Sequence, residues 1–424
     1  MRALIVAHYF PPDGGAGSQR PASFARHLPG LGVETTVVAR EAGNGPRGRY
    51  EPADPTLCDR TGAAEILRAR REGSDDWTSA LGRLAIEAAR ARRPDVALIT
   101  LSPFELAAIG PSLRSETGTP YVLDLRDPWA LDGWHTYRHA LAWRRARDTM
   151  RRALEDADGV VLNVPGAVAP VAALAPRAGR IPYAVVTNGW EPDEFPPPTE
   201  IASTDRLRIR FAGTFVCRFV RDRSPLRRLR AALLGRGERI DERGRSPMFL
   251  LRALERLHRE GFAGAGDFLV EIAGAPDPEA ERLVRESGRA DQVRHVGYLR
   301  HADNVRFIRE ADVLLLPMHG LRRGERARMV PGKLYEYLAT GRPILGLCPE
   351  GDARDWIARV PGSRLADPVD EAGIAEALRA LHADWRAGRL APGRRGAWVE
   401  DSTRAAQAMR LRDHLARVVA DSAR

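Results

Sequence analysis

Short apolar runs recur along the whole chain, and most are followed by a stretch with helical spacing. In the first half, residues 3–7 (ALIVA), 96–101, 120–125 (PYVLDL) and 159–163 have the length and composition of buried strands. Residues 33–39 (VETTVVA) and 184–186 complete the set. Between them, 21–31, 77–92, 104–114 and 134–156 carry apolar residues at helical spacing, the last one basic and amphipathic. Residues 40–60 are polar with Gly and Pro and read as a surface loop. Strands that alternate with helices predict a parallel sheet.

The alternation stops at Pro196-Pro197-Pro198-Thr199 and then restarts. Residues 207–212, 268–273, 292–299, 311–316 (ADVLLL) and 344–347 read as strands, 249–261 and 305–310 as helices, and 394–420 as a helical tail with apolar stripes. The expected organisation is a domain over 1–195, a linker over 196–206, a second domain over 207–400 and a final helix over 401–424. The fold class is α/β, with two Rossmann-like doubly wound domains facing a cleft. Residues 215–245 interrupt the second domain with ten arginines and few acids. Their middle, 225–234 (PLRRLRAALL), reads either as a basic amphipathic helix for an anionic surface or as a solvated loop.

A chain of 424 residues exceeds one ordinary core, which agrees with two domains. Hydrophobic residues make up 44% and charged residues 29%, the balance of a soluble globular protein. No apolar run approaches the ~18 residues of a membrane span. Residues 1–10 are apolar but short and run into Pro-Pro-Asp-Gly-Gly, so they read as a strand rather than a leader, and a cytoplasmic protein is expected. Cys58, Cys217 and Cys348 have neither a disulfide nor a metal-ligand spacing. The net charge of +10 and pI near 10.2 come almost wholly from arginine and favour anionic partners: nucleotide phosphates, nucleic acid or an acidic membrane face.

Two stretches carry candidate chemistry. Residues 330–345 (VPGKLYEYLATGRPIL) open on Pro331-Gly332, continue as a helix and close at Gly341. The first N–H groups of such a helix are free, its tip attracts anions, Lys333 adds a positive charge there, and Glu336 can accept from hydroxyls. One short helix can thus hold a pyrophosphate at its tip and a ribose beside it. The second stretch follows the first strand: His8-Tyr9-Phe10-Pro11-Pro12-Asp13-Gly14-Gly15-Ala16-Gly17. It is a Gly-rich loop where open α/β sheets bind ligands, although it matches neither the dinucleotide fingerprint nor a P-loop.

Taken in order, these pieces resemble the GT-B glycosyltransferases, most closely the retaining family 4, almost from end to end. The likeness rests on the Tyr-Phe-Pro-Pro opening with its Gly-Gly loop and Gln19-Arg20, Asp124-Leu125-Arg126-Asp127-Pro128-Trp129, Thr187-Asn188-Gly189, Gly213-Thr214, Gly297-Tyr298, residues 311–316, and Pro331-Gly332-Lys333-Leu334-Tyr335-Glu336.

The resemblance implies a nucleotide-sugar donor bound mainly by the C-terminal domain. The base would lie near Gly297-Tyr298 and the strand before it, and the ribose on Glu336. The pyrophosphate would sit among Gly15, the Pro331-Gly332-Lys333-Leu334 tip, Gly213-Thr214 and an arginine, either Arg218 or Arg245. The loop Gly14, Gly15, Ala16 and Gly17 would serve donor and acceptor, with Asp124, Arg126, Asp127, Trp129 and His135 on the acceptor side. The tail helix would return to the N-terminal domain.

Lys333, Arg126, Asp127 and Arg218 are the expected catalytic set, with no metal and no cofactor beyond the donor. The chain departs from the family in two places. Arg328 stands where many members have the first of two glutamates, with Glu325 out of register. No histidine follows residues 124–127, where Arg126 and Asp127 would take over. The resemblance thus implies retaining, metal-independent transfer to a glycan, lipid-linked saccharide or secondary metabolite, with peripheral membrane contact through the basic insertion left open. The readings set against it are a GT-B-type epimerase or hydrolase, a nucleic-acid-binding protein, and a non-catalytic binding module. The chain shows no nucleic-acid-binding motif, so no nucleic-acid partner is expected.

Overall fold

The structure, a computed structural model, describes all residues except 42–53, 63, 133–136, 138, 176–181, 199–203, 218–239, 323 and 424. The chain divides into two compact units: Met1–His135 with Leu141–Gly189 and Asp401–Arg424, and Trp190–Glu400 with Thr136–Ala140. The division falls at Gly189/Trp190, ahead of the proline run. Trp190 is buried, its indole N–H donates to the Val399 carbonyl at 2.9 Å, and Arg395 donates to the Phe195 carbonyl, so this stretch is tied into the second unit.

The N-terminal unit is built on seven parallel strands: β1 (Arg2–Ala7), β2 (Glu34–Arg40), β3 (Glu65–Ala69), β4 (Val96–Leu101), β5 (Tyr121–Leu125), β6 (Gly159–Leu162) and β7 (Tyr183–Val185). Their order is β3-β2-β1-β4-β5-β6-β7. Alternate residues of one strand supply two cores, which is why the central strands read as continuous apolar runs. Leu4 and Val6 pack with α2 (Trp77–Arg92), α3 (Ile109–Thr117), α4 (Ala140–Asp156) and α5 (Val168–Leu174). Ala3 and Ile5 pack on the other face with α1 (Ala16–His27) and the tail helix Arg404–Ser422, through Leu411, Leu415 and Val418. Gly159 lets that tail approach β6, since a Cβ there would lie 2.7 Å from Val418.

Three local expectations change. The first helix begins at Ala16, not residue 21, and takes Pro21 into its interior. Residues 65–69, to which the sequence reading gave no element, form an edge strand, a short mixed run with little signal of its own. The stretch 394–420 is two helices, because Thr403 caps the second by accepting from the Ala406 N–H.

The C-terminal unit has six parallel strands in the order β11-β10-β8-β12-β14-β15: β8 (Leu207–Ala212), β10 (Phe268–Ala273), β11 (Val293–Gly297), β12 (Val313–Pro317), β14 (Ile344–Leu347) and β15 (Arg364–Ala366). This is the dinucleotide-domain order, with its switch point between β8 and β12. Helices α6 (Met248–Arg259), α7 (Pro278–Glu286) and Glu371–Arg386 cover one face. Chain topology carries α8 (His301–Arg309) and α9 (Gly332–Thr340) across to return to β12 and β14. A two-strand ribbon, β9 (Ile240–Asp241) against β13 (Gly320–Leu321), clips residues 240–245 to the end of β12.

Candidate functional site

The centre of the C-terminal unit's site is a contact between a strand end and a helix tip. Gly213 follows β8 with φ +154°, and a Cβ there would lie 2.0 Å from the Lys333 Nζ and 3.0 Å from the Phe211 ring. The ammonium therefore rests directly on the strand end, 4.3 Å above the centre of the Phe211 ring. Lys333 is the second residue of α9, whose N-cap Pro331 offers no side-chain cap to the first-turn N–H groups. Gly341 closes the helix in the left-handed conformation, at φ +65°. Lys333 is partly exposed as a whole residue, while its ammonium is the enclosed end. Burial of the ammonium, reinforced by the Arg245 guanidinium and only partly opposed by Glu336, lowers its pKa from 10.5 to about 7.

Arg245 is brought here by the β9–β13 ribbon and by the Val216 N–H, which donates to its carbonyl at 3.0 Å. Burial and the same guanidinium lower His319, 1% exposed beside β13, to about 3. Glu336, one turn along α9, is buried. Three strand ends meet beside Lys333. The Gly213 N–H donates to the Ala273 carbonyl, the Gly274 N–H to the Gly297 carbonyl, and the Thr214 hydroxyl to the Ala275 carbonyl.

A pocket of about 320 Å³ opens next to these ends, between α7 and strands β10 and β11. Phe215, Ile272, Val284 and Val293 line it, with Glu281, Arg285 and His295 as polar groups. Phe215 lies 5.0 Å from Phe211 between ring centres, and Phe211 carries the Lys333 ammonium, so the pocket and the cation share a wall.

In the N-terminal unit, the loop after β1 turns at Gly15 (φ +82°), which starts α1 without a side-chain cap. Asp13 holds the loop by accepting from Arg40 at 2.9 Å, and Gly17 lies against the Tyr9 ring. Arg20 forms a bidentate, fully enclosed pair with Asp124 at 2.7 and 2.9 Å, and the Thr100 hydroxyl donates to the same carboxylate at 2.8 Å. Arg126 and Asp127 follow β5 and stay partly exposed. Trp129 is held at φ +44°, stacked on Phe104 at 5.0 Å, a backbone state rare for so large a residue.

Several expected site residues sit differently. Asp124 has no exposed surface and pins α1 through its pair with Arg20. Leu334 is enclosed in the core, and its N–H is already bonded to the Pro331 carbonyl. Tyr298 is 52% exposed and does not line the pocket, whereas His295 and Val293 of the strand before it do. Ala16 is the first residue of α1. Arg218, His135 and the segment 225–234 lie outside the described residues. Phe211 and His319 escaped sequence reading, since an aromatic in a buried strand and a lone histidine look like core. Among the described residues, no three His, Cys, Asp or Glu side chains gather as a metal would need, and no helix is long and apolar enough to cross a membrane.

Comparison with known proteins agrees with this architecture. The family described as "Glycosyl transferases group 1" matches residues 234–384. No curated protein matches the chain significantly. Among solved structures, sucrose-phosphate synthase from Thermosynechococcus elongatus is similar with a TM-score of 0.68 at 16% identity, covering 99% of this chain and 100% of that one. Anabaena HepE, crystallised with UDP and glucose, is similar at 0.64 and 13%, covering 98% and 99%. WaaG, a glycosyltransferase involved in lipopolysaccharide biosynthesis, is similar at 0.57 and 15%, covering 99% and 98%. At these identities the structural likeness speaks for the fold. Together with the domain match around Lys333, it gives the chain a GT-B fold with a match to the group 1 glycosyl transferases over residues 234–384.

Proposed function

We propose that the chain transfers a sugar from a nucleoside-diphosphate sugar to a hydroxyl of a glycan, lipid-linked saccharide or secondary metabolite, with retention of anomeric configuration and without a metal ion. The observation that carries the reading is the Lys333 ammonium, fixed at the meeting of a strand end and an uncapped helix tip with Arg245 close by. In glycosyl transfer the leaving group is a nucleoside diphosphate, and negative charge grows on its β-phosphate. Donors already aimed at that position stabilise the transition state more than the ground state. Two protein cations supply the charge that a divalent ion supplies elsewhere.

The diphosphate would lie on the α9 tip and the backbone of Gly213 and Thr214. Glu336 would take the ribose hydroxyls, and the base would enter the pocket walled by Phe215, Val293 and His295. The N-terminal unit would take the acceptor through the Gly14, Gly15 and Gly17 loop, Arg126, Asp127 and Trp129. HepE, with its bound UDP, supports a uridine or related donor by analogy of fold.

A thermal-shift series with UDP, GDP, ADP, CDP and TDP, each with EDTA present, tests the donor site. A ligand that binds only the folded state raises its melting temperature. One diphosphate should raise it with EDTA present. No shift with any of the five would refute the reading, and a shift abolished by EDTA would refute metal independence. NMR of the product's anomeric proton tests retention.

A further inference from the structure

The carboxyl ends of β1, β2 and β3 carry a cluster that the donor chemistry does not use. Arg40 ends β2, Arg68 stands on β3, Arg71 follows it, and Trp77 opens α2. The Arg40 guanidinium lies 5.5 Å from the Tyr9 ring centre and 6.0 Å from that of Trp77. Arg71 lies 5.3 Å from the same Trp77 ring, and Arg68 lies 5.5 Å from that of Phe10. Three guanidiniums thus crowd one aromatic wall.

Their compensation is incomplete. Asp13 pairs with Arg40. Arg68 spends its N–H groups on the carbonyls of Arg40 and Pro11, not on a carboxylate. Arg71 is exposed and has no carboxylate partner among the described residues, and the nearby Glu41 is taken by Arg70. Arg40 is only 3% exposed, yet among the described residues its Nε has no partner, and neither does the buried Nδ1 of His8, whose ring packs edge-on to Tyr9 and Trp77. Buried polar nitrogens without partners are costly, and three clustered guanidiniums with one carboxylate paired among them are a ready receptor for phosphate. Burial lowers Arg68, and burial with the Arg40 charge lowers His8 to about 4, so the imidazole is neutral and the site's net charge comes from arginine.

We infer that the acceptor carries a phosphate-type anion, received by Arg71 and Arg68 in front of the enclosed Arg40 charge, with Tyr9 and Trp77 as the wall for its neighbouring apolar or sugar face. The inference rests on the reading that the N-terminal unit takes the acceptor. The site lies at the same strand ends as the Gly15 loop, where open α/β sheets bind ligands. The phosphate could belong to a soluble sugar phosphate or to a lipid headgroup.

Calorimetric titration of the full chain, with the donor site filled by the nucleoside diphosphate that raises its melting temperature, separates these sources. One arm uses glucose 6-phosphate with glucose as control. The other uses phosphatidylcholine vesicles with and without phosphatidylglycerol. One phosphorylated probe should bind the parent chain, bind Lys333→Ala equally well, and bind Arg71→Gln and Arg68→Gln at least tenfold more weakly. Binding of neither probe, or equal binding by Arg71→Gln and the parent, would overturn the inference. A probe lost in Lys333→Ala but kept in Arg71→Gln would place the phosphate at the donor site and overturn it too. If Lys333→Ala binds pyrophosphate as the parent does, the donor reading fails instead, independently of the arginine cluster.

Discussion

Replacing Gly213 by alanine puts a methyl carbon 2.0 Å from the Lys333 Nζ. Ordinary contact begins near 3.4 Å, so the ammonium must retreat by about 1.4 Å. The far end of a lysine can move, and the fold should survive. The backbone cost, at φ +154°, is about 1–3 kcal/mol. The functional cost follows from distance. An ammonium about 3 Å from a phosphate oxygen, moved to about 4.4 Å at an effective dielectric of about 20, loses about 1.8 kcal/mol, roughly twentyfold. Gly213→Ala should therefore bind inorganic pyrophosphate roughly twentyfold more weakly and lower kcat/KM by at least that factor, while still unfolding cooperatively. Pyrophosphate affinity is measured by calorimetry and folding by urea denaturation. A folded Gly213→Ala protein with parental affinity would refute the placement of the diphosphate at this contact.

Two further outcomes are expected. Lys333 gives up its proton near pH 7 in the folded chain against an ordinary 10.5, so between those values the unfolded chain binds more protons and stability rises with pH. Lys333→Met should remove that rise and be more stable than the parent at pH 7. A parent-minus-variant stability difference that stays flat from pH 7 to 10 would contradict the buried ammonium. Asp124→Ala leaves the enclosed Arg20 guanidinium without its carboxylate and should cost about 3–5 kcal/mol in urea denaturation, since a buried charge loses its partner. A loss under about 1 kcal/mol would mean that the pair does not hold α1.

By itself the sequence located the central strands, several of the helices between them and the half each belongs to. Strand and helix periodicities are local, and central strands buried on both faces, such as residues 96–101 and 207–212, announce themselves as apolar runs. It also located the Pro331–Glu336 helix tip, because Pro, Gly and Lys around a helix start act within one turn. Weak or tertiary signals were not legible. The edge strand at residues 65–69 is held by pairing with β2 rather than by its own composition. The first helix starts at Ala16, packed by its neighbours despite Pro21, and Arg20 within it is fixed by Asp124, 104 positions away.

Only the folded chain could bring Arg245 to Lys333: the β9–β13 ribbon delivers it from the end of a long insertion, a proximity that sequence spacing does not show. Only the fold could show Lys333 with a depressed pKa, because desolvation depends on what surrounds an ammonium and not on its neighbours in sequence. The arginines at the ends of β2 and β3 were likewise part of a diffuse positive charge until the sheet order set them around one tryptophan.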